Sequence, residues 1–374
     1  IANNAGGGCS AGVVSLGHNL ASDNTCGLSG PGDLSGVDPL LGPLQDNGGP
    51  TFTHAPLVGS PAIDAGDNSG VSSSDQRNFA RLRDGDGDAT ATVDIGAVEY
   101  IAAFDVSSTA DTVDASPGDG VAADAGGDTT LRAAIMEANA LAGPDTINLP
   151  AGTYTLSIAG SGEDSAATGD LDITDTSGGL SIIGDGAAST IIDANQLDRV
   201  FHVFAGVALD LEAATVTGGN LDTGTGLASK GGGIFNAGTL SVIGSMISGN
   251  LGKDGGGGIS TRDATVSVTI TDSTISGNTA YSDGGGIEFN STAASTMTIT
   301  NSTISGNSAI SGGHAGGGIF VSGLGAGPTL TLTNTTISDN LSGNSTGGGI
   351  RIDVGTVNVQ NTIIAGNTGG DTSG

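Results

Sequence analysis

Three aspartates stand at alternate positions in the run Asp84-Gly-Asp86-Gly-Asp88. Carboxylates spaced this way on a glycine-relieved loop can converge on one hard cation, as in the first half of an EF-hand loop. Thr90 offers a backbone carbonyl and Asp94 a further carboxylate. Asp94 falls one position short of the usual bidentate Glu, so this is not a true EF-hand. The bland alternative is a solvated acidic turn, but three carboxylates this close repel one another unless neutralised. The expectation is a calcium ion held by Asp84, Asp86, Asp88, Thr90 and Asp94, stiffening its loop rather than catalysing. Asp64 and Asp75 are placed to brace the same region.

Other chemistry is sparse. His202 sits in the apolar run Val200–Phe204, which suits a half-buried strand residue better than a general base. His18, His54 and His314 have no Ser, Cys or second His at triad or metal spacing. The basic residues of the second half are Arg199, Arg262, Arg351, Lys230 and Lys253, and Trp is absent. Arg351 is followed by Ile352-Asp353, so the Arg-Ile-Lys element of pectin hydrolases is not met. A carboxylate pair at glycosidase separation stays open, because distant residues can share one face. No catalytic residue is assigned.

Composition bounds the elements that must position these groups. Gly accounts for 69 of 374 residues without a three-residue period, which excludes collagen, and 36% hydrophobic residues is too many for plain disorder. Gly, Ser, Thr and Asp outnumber good helix formers, which excludes long bundles. No apolar run approaches the roughly 18 residues of a membrane helix. The net charge is −30, and only five of the 39 acids are Glu. Such a surface repels nucleic acid and anionic membranes, and its Asp bias suits turns and hard-cation sites. Cys9 and Cys26 would close one loop of modest length, for which an oxidising compartment is the simple expectation.

Repeats decide the architecture. A motif of the form x-Ile-Ser-Gly-Asn, or a close variant, recurs at 216–220, 247–250, 275–278, 304–307, 337–340 and 364–367. Gly-Gly-Gly-Ile interleaves with it, ending at Ile234, Ile259, Ile287, Ile319 and Ile350. Between the two lie β-branched runs such as Val266–Ile270, Met297–Thr300 and Leu330–Thr333, with the alternation of a strand buried on one face. Gly and Asn punctuate the unit as turns. About 28 residues holding three short strands make one coil of a parallel β-helix. The motif isoleucines should stack inside, and the motif asparagines, Asn220 included, should form a ladder at one corner. Asn290, Asn301, Asn334, Asn340 and Asn344 also lie in glycosylation sequons, but glycosylation would not explain the period.

Residues 128–142 break the pattern. Asp128 or Thr129 can cap a helix with Leu131, Ala134, Ile135, Ala138 and Leu141 on one face, stopped by Gly143-Pro144. At the start of a solenoid this is a seal for the apolar interior. Strands follow at 146–149, 153–158, 180–183, 190–192 and 200–204.

Asp111-Thr-Val-Asp114, Pro117-Gly-Asp-Gly120, Thr130-Leu-Arg-Ala-Ala-Ile-Met-Glu-Ala-Asn139 and Asp145-Thr-Ile-Asn-Leu-Pro-Ala-Gly-Thr-Tyr154 together resemble the CSLREA-type domain that opens many large secreted bacterial β-helix proteins. Residues 38–99 resemble a choice-of-anchor-Q type region, through Pro43-Leu-Gln-Asp-Asn-Gly-Gly-Pro-Thr51, Gly59-Ser-Pro-Ala-Ile-Asp-Ala-Gly66, Asp75-Gln-Arg77, the Asp84–Asp88 run and Asp94-Ile-Gly-Ala97. The resemblance implies a secreted or cell-surface structural or adhesive protein; the alternatives to a non-catalytic fibre unit are an adhesin or carbohydrate-binding surface protein and, behind these, a polysaccharide lyase or hydrolase. It also implies that Cys9 and Cys26 are a customary pair, while a second pair is replaced by Ala122 and Thr129.

The expected organisation is all-β, a right-handed parallel β-helix with an N-terminal capping helix and the loop-rich C-terminal cap of a preceding module. Residues 1–100 read as the last coils and cap of one module, 101–144 as linker and cap, and 145–374 as the β-helix. Ile364–Ser373 aligns with Ile1–Ser10, matching at Ile, Ala, Asn, Gly, Gly and Ser. From this follows an expectation of head-to-tail self-association into a fibre, within one polypeptide or between subunits.

Overall fold

Apolar and hydroxyl residues alternate for only three to five positions before Gly, Asn or Asp intervenes, and most strands of the three main sheets have that length. The computed structural model describes all residues except 1–6, 11–12, 46, 48–49, 58, 78, 80, 83–84, 86–89, 101–102, 142, 223–228, 263–264, 292–294, 312–315, 326, 344–346 and 374. Two compact units are present, one of residues 1–102, 116–121 and 140–145, the other of residues 103–115, 122–139 and 146–374.

The larger unit is a parallel β-solenoid. Its first sheet has nine strands, from Ala103–Asp105 and Asp145–Leu149 up to Thr329–Thr333 and Thr356–Gln360. The second and third sheets have eight strands each, and a four-stranded sheet of two-residue strands joins them in the later coils. Every partner is one coil away and pairs parallel, so like residues stack in register. Ile247, Ile275, Ile304 and Ile337 align in the second sheet. Ile234, Ile259, Ile287, Ile319 and Ile350 align in the third. All nine are at most 1% exposed, as the motif requires.

The asparagine ladder is continuous from Asn250 to Asn367. Each Nδ2 donates to the next Oδ1: Asn250 to Asn278 at 3.0 Å, Asn278 to Asn307 at 3.0 Å, Asn307 to Asn340 at 2.9 Å and Asn340 to Asn367 at 2.9 Å. Asn367 donates to Asp371 Oδ1 at 3.1 Å. Asn220 is not a rung. The extra residue in Val216-Thr-Gly-Gly-Asn220 puts Gly219 in the slot, and its N–H donates to Asn250 Oδ1. Asn340 is fully buried, which removes its sequon from glycosylation. Asn301 and Asn334 occupy a left-handed turn, at φ 51° each, and Asp272 (φ 53°) and Asn361 (φ 49°) do the same. Short polar side chains tolerate this conformation.

The glycine triplets mark backbone approach between coils. A Cβ on Gly257 would lie 2.4 Å from the carbonyl oxygens of Gly285 and Thr279, closer than any side chain allows.

The helix spans Leu131–Ala140, and its cap is neither Asp128 nor Thr129. Thr130 Oγ1 accepts from Ala133 N at 3.1 Å, one residue later than expected, its hydroxyl held over the first turn by donating to Thr112 O at 2.7 Å. The expected apolar face is buried, but so are Arg132 and Glu137 on its two flanks. Ala102 and Ala103 fall in different units, as do Asn139 and Ala140.

The smaller unit is rich in loops held by side chains. The strands Leu20–Ala21 and Leu34–Ser35 pair parallel, and Cys9 is disulfide-bonded to Cys26. Asp75 and Arg77 form a buried ion pair at 2.8 Å.

Candidate functional site

Asp84, Asp86 and Asp88 lie outside the described residues. Thr90 is exposed. Asp94 is 4% exposed, and its carboxylate accepts from Asp64 N at 2.9 Å and from Tyr100 N. The neighbouring Asp64 accepts from Gly85 N at 2.8 Å. Asp94 therefore serves as a hub of loop amides, and Asp75 is committed to Arg77 and to Glu99 N.

Glu99 beside them is 1% exposed, accepting from Arg81 Nη1 at 2.6 Å and from Asp94 N at 2.9 Å. Burial, with the Asp94 and Asp75 carboxylates nearby, pushes its pKa up to about 7 from 4.5. A carboxyl raised on folding takes up a proton when the protein folds. Its effect on stability is absent below the unfolded value, and stability falls as pH rises towards 7. The loss is about 3 kcal/mol at 1.4 kcal/mol per pH unit. Amide hydrogen exchange over residues 94–100, corrected for intrinsic rates, should therefore accelerate between pH 5 and pH 7.5. Glu99→Gln should flatten that dependence, and an equal pH response in the two proteins would refute it.

A second cluster was not legible in the sequence. Asp172 lies in the strand Leu171–Ile173 and His202 in Phe201–Val203, and the two residues are direct partners in consecutive coils. Leu171, Ile173, Phe201 and Val203 fill the interior, so strand alternation turns Asp172 and His202 to the outer face. His202 Nδ1 stands 3.3 Å from Asp172 Oδ1. Asp164, on the exposed loop before the strand, completes a set of three ligand atoms within 4.8 Å of one another. The imidazole stacks on Phe204 at 3.9 Å, with Phe235 edge-on at 5.3 Å.

The capping helix holds this loop. Arg132, 1% exposed, donates to the carbonyls of Ala166 at 2.7 Å and Gly169 at 2.9 Å and pairs with Asp111 at 2.6 Å. Asn139 brackets the strand, donating to Asp172 O at 2.7 Å and accepting from Thr174 N at 2.8 Å. Glu163 is tied inside the loop by Ser165 and Thr168. Asp170 pairs with Arg199 at 2.9 Å. Burial pushes Asp170 up to about 8 and Asp172 up to about 7, neighbouring carboxylates adding to both. Burial, helped by Arg199, lowers His202 to about 4. A neutral imidazole beside carboxylates is a donor set for a cation.

The residues above this pair in the same column are Phe235, Ser260, Glu288, Phe320 and Arg351. Lys230 reaches Glu288 at 2.8 Å, and Arg351 pairs with Asp353 at 2.7 Å. His18 and His54 each contact a backbone carbonyl through Nδ1, and His314 lies outside the described residues.

Residues 156–332 match the family model for the right-handed β-helix region. The solenoid is a right-handed parallel β-helix. The crystal structure of pectate lyase Pel9A is similar to it with a TM-score of 0.39 and 14% identity, over 67% of this chain and 68% of that one. No curated protein sequence matches the chain. Among the described residues, no helix is long and apolar enough to cross a membrane.

Proposed function

We propose that this right-handed β-helix is a non-catalytic structural element of an extracellular or cell-surface protein of the CSLREA-bearing kind, serving as a rigid unit of a fibre. The observation that carries this reading is axial continuity. Two isoleucine stacks and one asparagine ladder run through the later coils, each ladder rung bonded to the next. Such a stack resists bending, since every coil shares its strand hydrogen bonds and its core with its neighbours. The sheets end in strands Thr356–Gln360 and Ile363–Ala365, where Val359 is 58% and Ile363 60% exposed.

Negative-stain images of the purified chain, taken over a concentration series, should show thin rods that lengthen axially. Incubation with polygalacturonate and other acidic glycans should release neither unsaturated uronates nor new reducing ends. Globular monomers at every concentration would overturn the fibre, and metal-dependent release of glycan products would overturn the non-catalytic role.

A further inference from the structure

We infer that Asp164, Asp172 and His202 form a binding site for a divalent cation of the zinc class, which bridges the loop before the third sheet to its first two strands. The inference is independent of the fibre role.

Two observations beyond the acidity of the cluster point to a ligand. Asp172 is 0% exposed, and while its Oδ2 accepts from Ala166 N at 3.1 Å, its Oδ1 has no hydrogen-bond partner. A buried carboxylate oxygen left in that state costs free energy. That oxygen faces His202 Nδ1 at 3.3 Å. Ligands about 2.1 Å from a tetrahedral cation stand about 3.4 Å apart. The separation is therefore that of two ligands sharing one ion, and the exposed Asp164 brings a third ligand atom within 4.8 Å of both. The imidazole selects the metal. Calcium takes oxygen ligands, whereas a nitrogen with two carboxylates suits zinc and its borderline neighbours. Three protein ligands leave a position for water. Ring stacking on Phe204 and the Arg132 clamp on the loop hold the donors in place before the ion arrives.

The full chain, stripped with chelator, should bind Zn2+ in titration calorimetry with one saturable equivalent assigned to this site. Co2+ in its place should give the visible absorption of a tetrahedral ion with nitrogen and oxygen ligands. His202→Ala and Asp164→Asn should each weaken that binding by at least about 100-fold, at or above the top of the range for second-shell losses. Asp164 is exposed, so its variant tests the site even if the change at His202 disturbs folding. Circular dichroism reports whether each variant is folded. No saturable Zn2+ binding would overturn the inference. So would Zn2+ binding unchanged in both variants, or binding lost only when Asp84, Asp86 and Asp88 are all changed to Asn. Tighter binding of Ca2+ than Zn2+ at this site would overturn the choice of metal.

Discussion

Replacing Ile304 by Asp should cost more than about 4 kcal/mol and abolish the cooperative melt of the later coils. Ile304 is fully buried, with Ile275 and Ile337 as its direct strand partners, themselves fully buried. The incoming carboxylate would lie between two aliphatic side chains, and in a parallel stack no neighbour can turn away without breaking register. An unpaired charge in such surroundings is either left unsolvated or protonated, and both are costly. Ile304→Val is the control, removing one methylene for about 1 kcal/mol. Because solenoid coils are coupled chiefly to their neighbours, hydrogen exchange should show protection lost first around residues 275–340. A melting temperature shared by Ile304→Asp and the native chain would refute the buried stack.

The stack was legible because a solenoid writes its register into the sequence. Each coil repeats the same inward isoleucine, the same turn and the same glycine triplet, so period alone gives contact between residues about 28 positions apart. The misplacements occur where that repetition slips. Val216-Thr-Gly-Gly-Asn220 has one residue more than its successors, which moves Asn220 out of the ladder and leaves a backbone N–H to take its place. The helix cap falls one residue later because it is the Thr130 hydroxyl that is anchored over the first turn, donating to Thr112 O and accepting from Ala133 N. The acid–histidine cluster was illegible for the opposite reason. Its column carries Asp172, His202, Phe235, Ser260, Glu288, Phe320 and Arg351 in succession. The outer position of that strand is fixed in geometry and free in chemistry, so no repeat announces it. Asp172 and His202 sit one coil apart at equivalent positions, and only the strand register reveals that they meet.

Glu288 of the same column belongs to an ion pair whose rupture should have the second-largest effect. Lys230 is 5% and Glu288 1% exposed at the side chain, and Nζ donates to both carboxylate oxygens at 2.8 and 3.0 Å. The pair spans two coils. Lys230 also donates to Asp254 O at 2.9 Å, while Ser260 Oγ donates to Glu288 Oε2 at 2.6 Å. Gly255 makes room for it, since a Cβ there would come within 2.4 Å of Glu288 Oε2. Removing one partner leaves the other charge buried, so Lys230→Met or Glu288→Leu alone should cost about 3–5 kcal/mol. Removing both exchanges a desolvated pair for apolar packing, which is often neutral. The double variant should therefore be more stable than either single one, with a residual loss from the hydroxyl of Ser260. Urea unfolding of the four proteins closes the cycle. If the two single costs simply add in the double variant, the charges are not coupled, and the pair is not what ties these coils together.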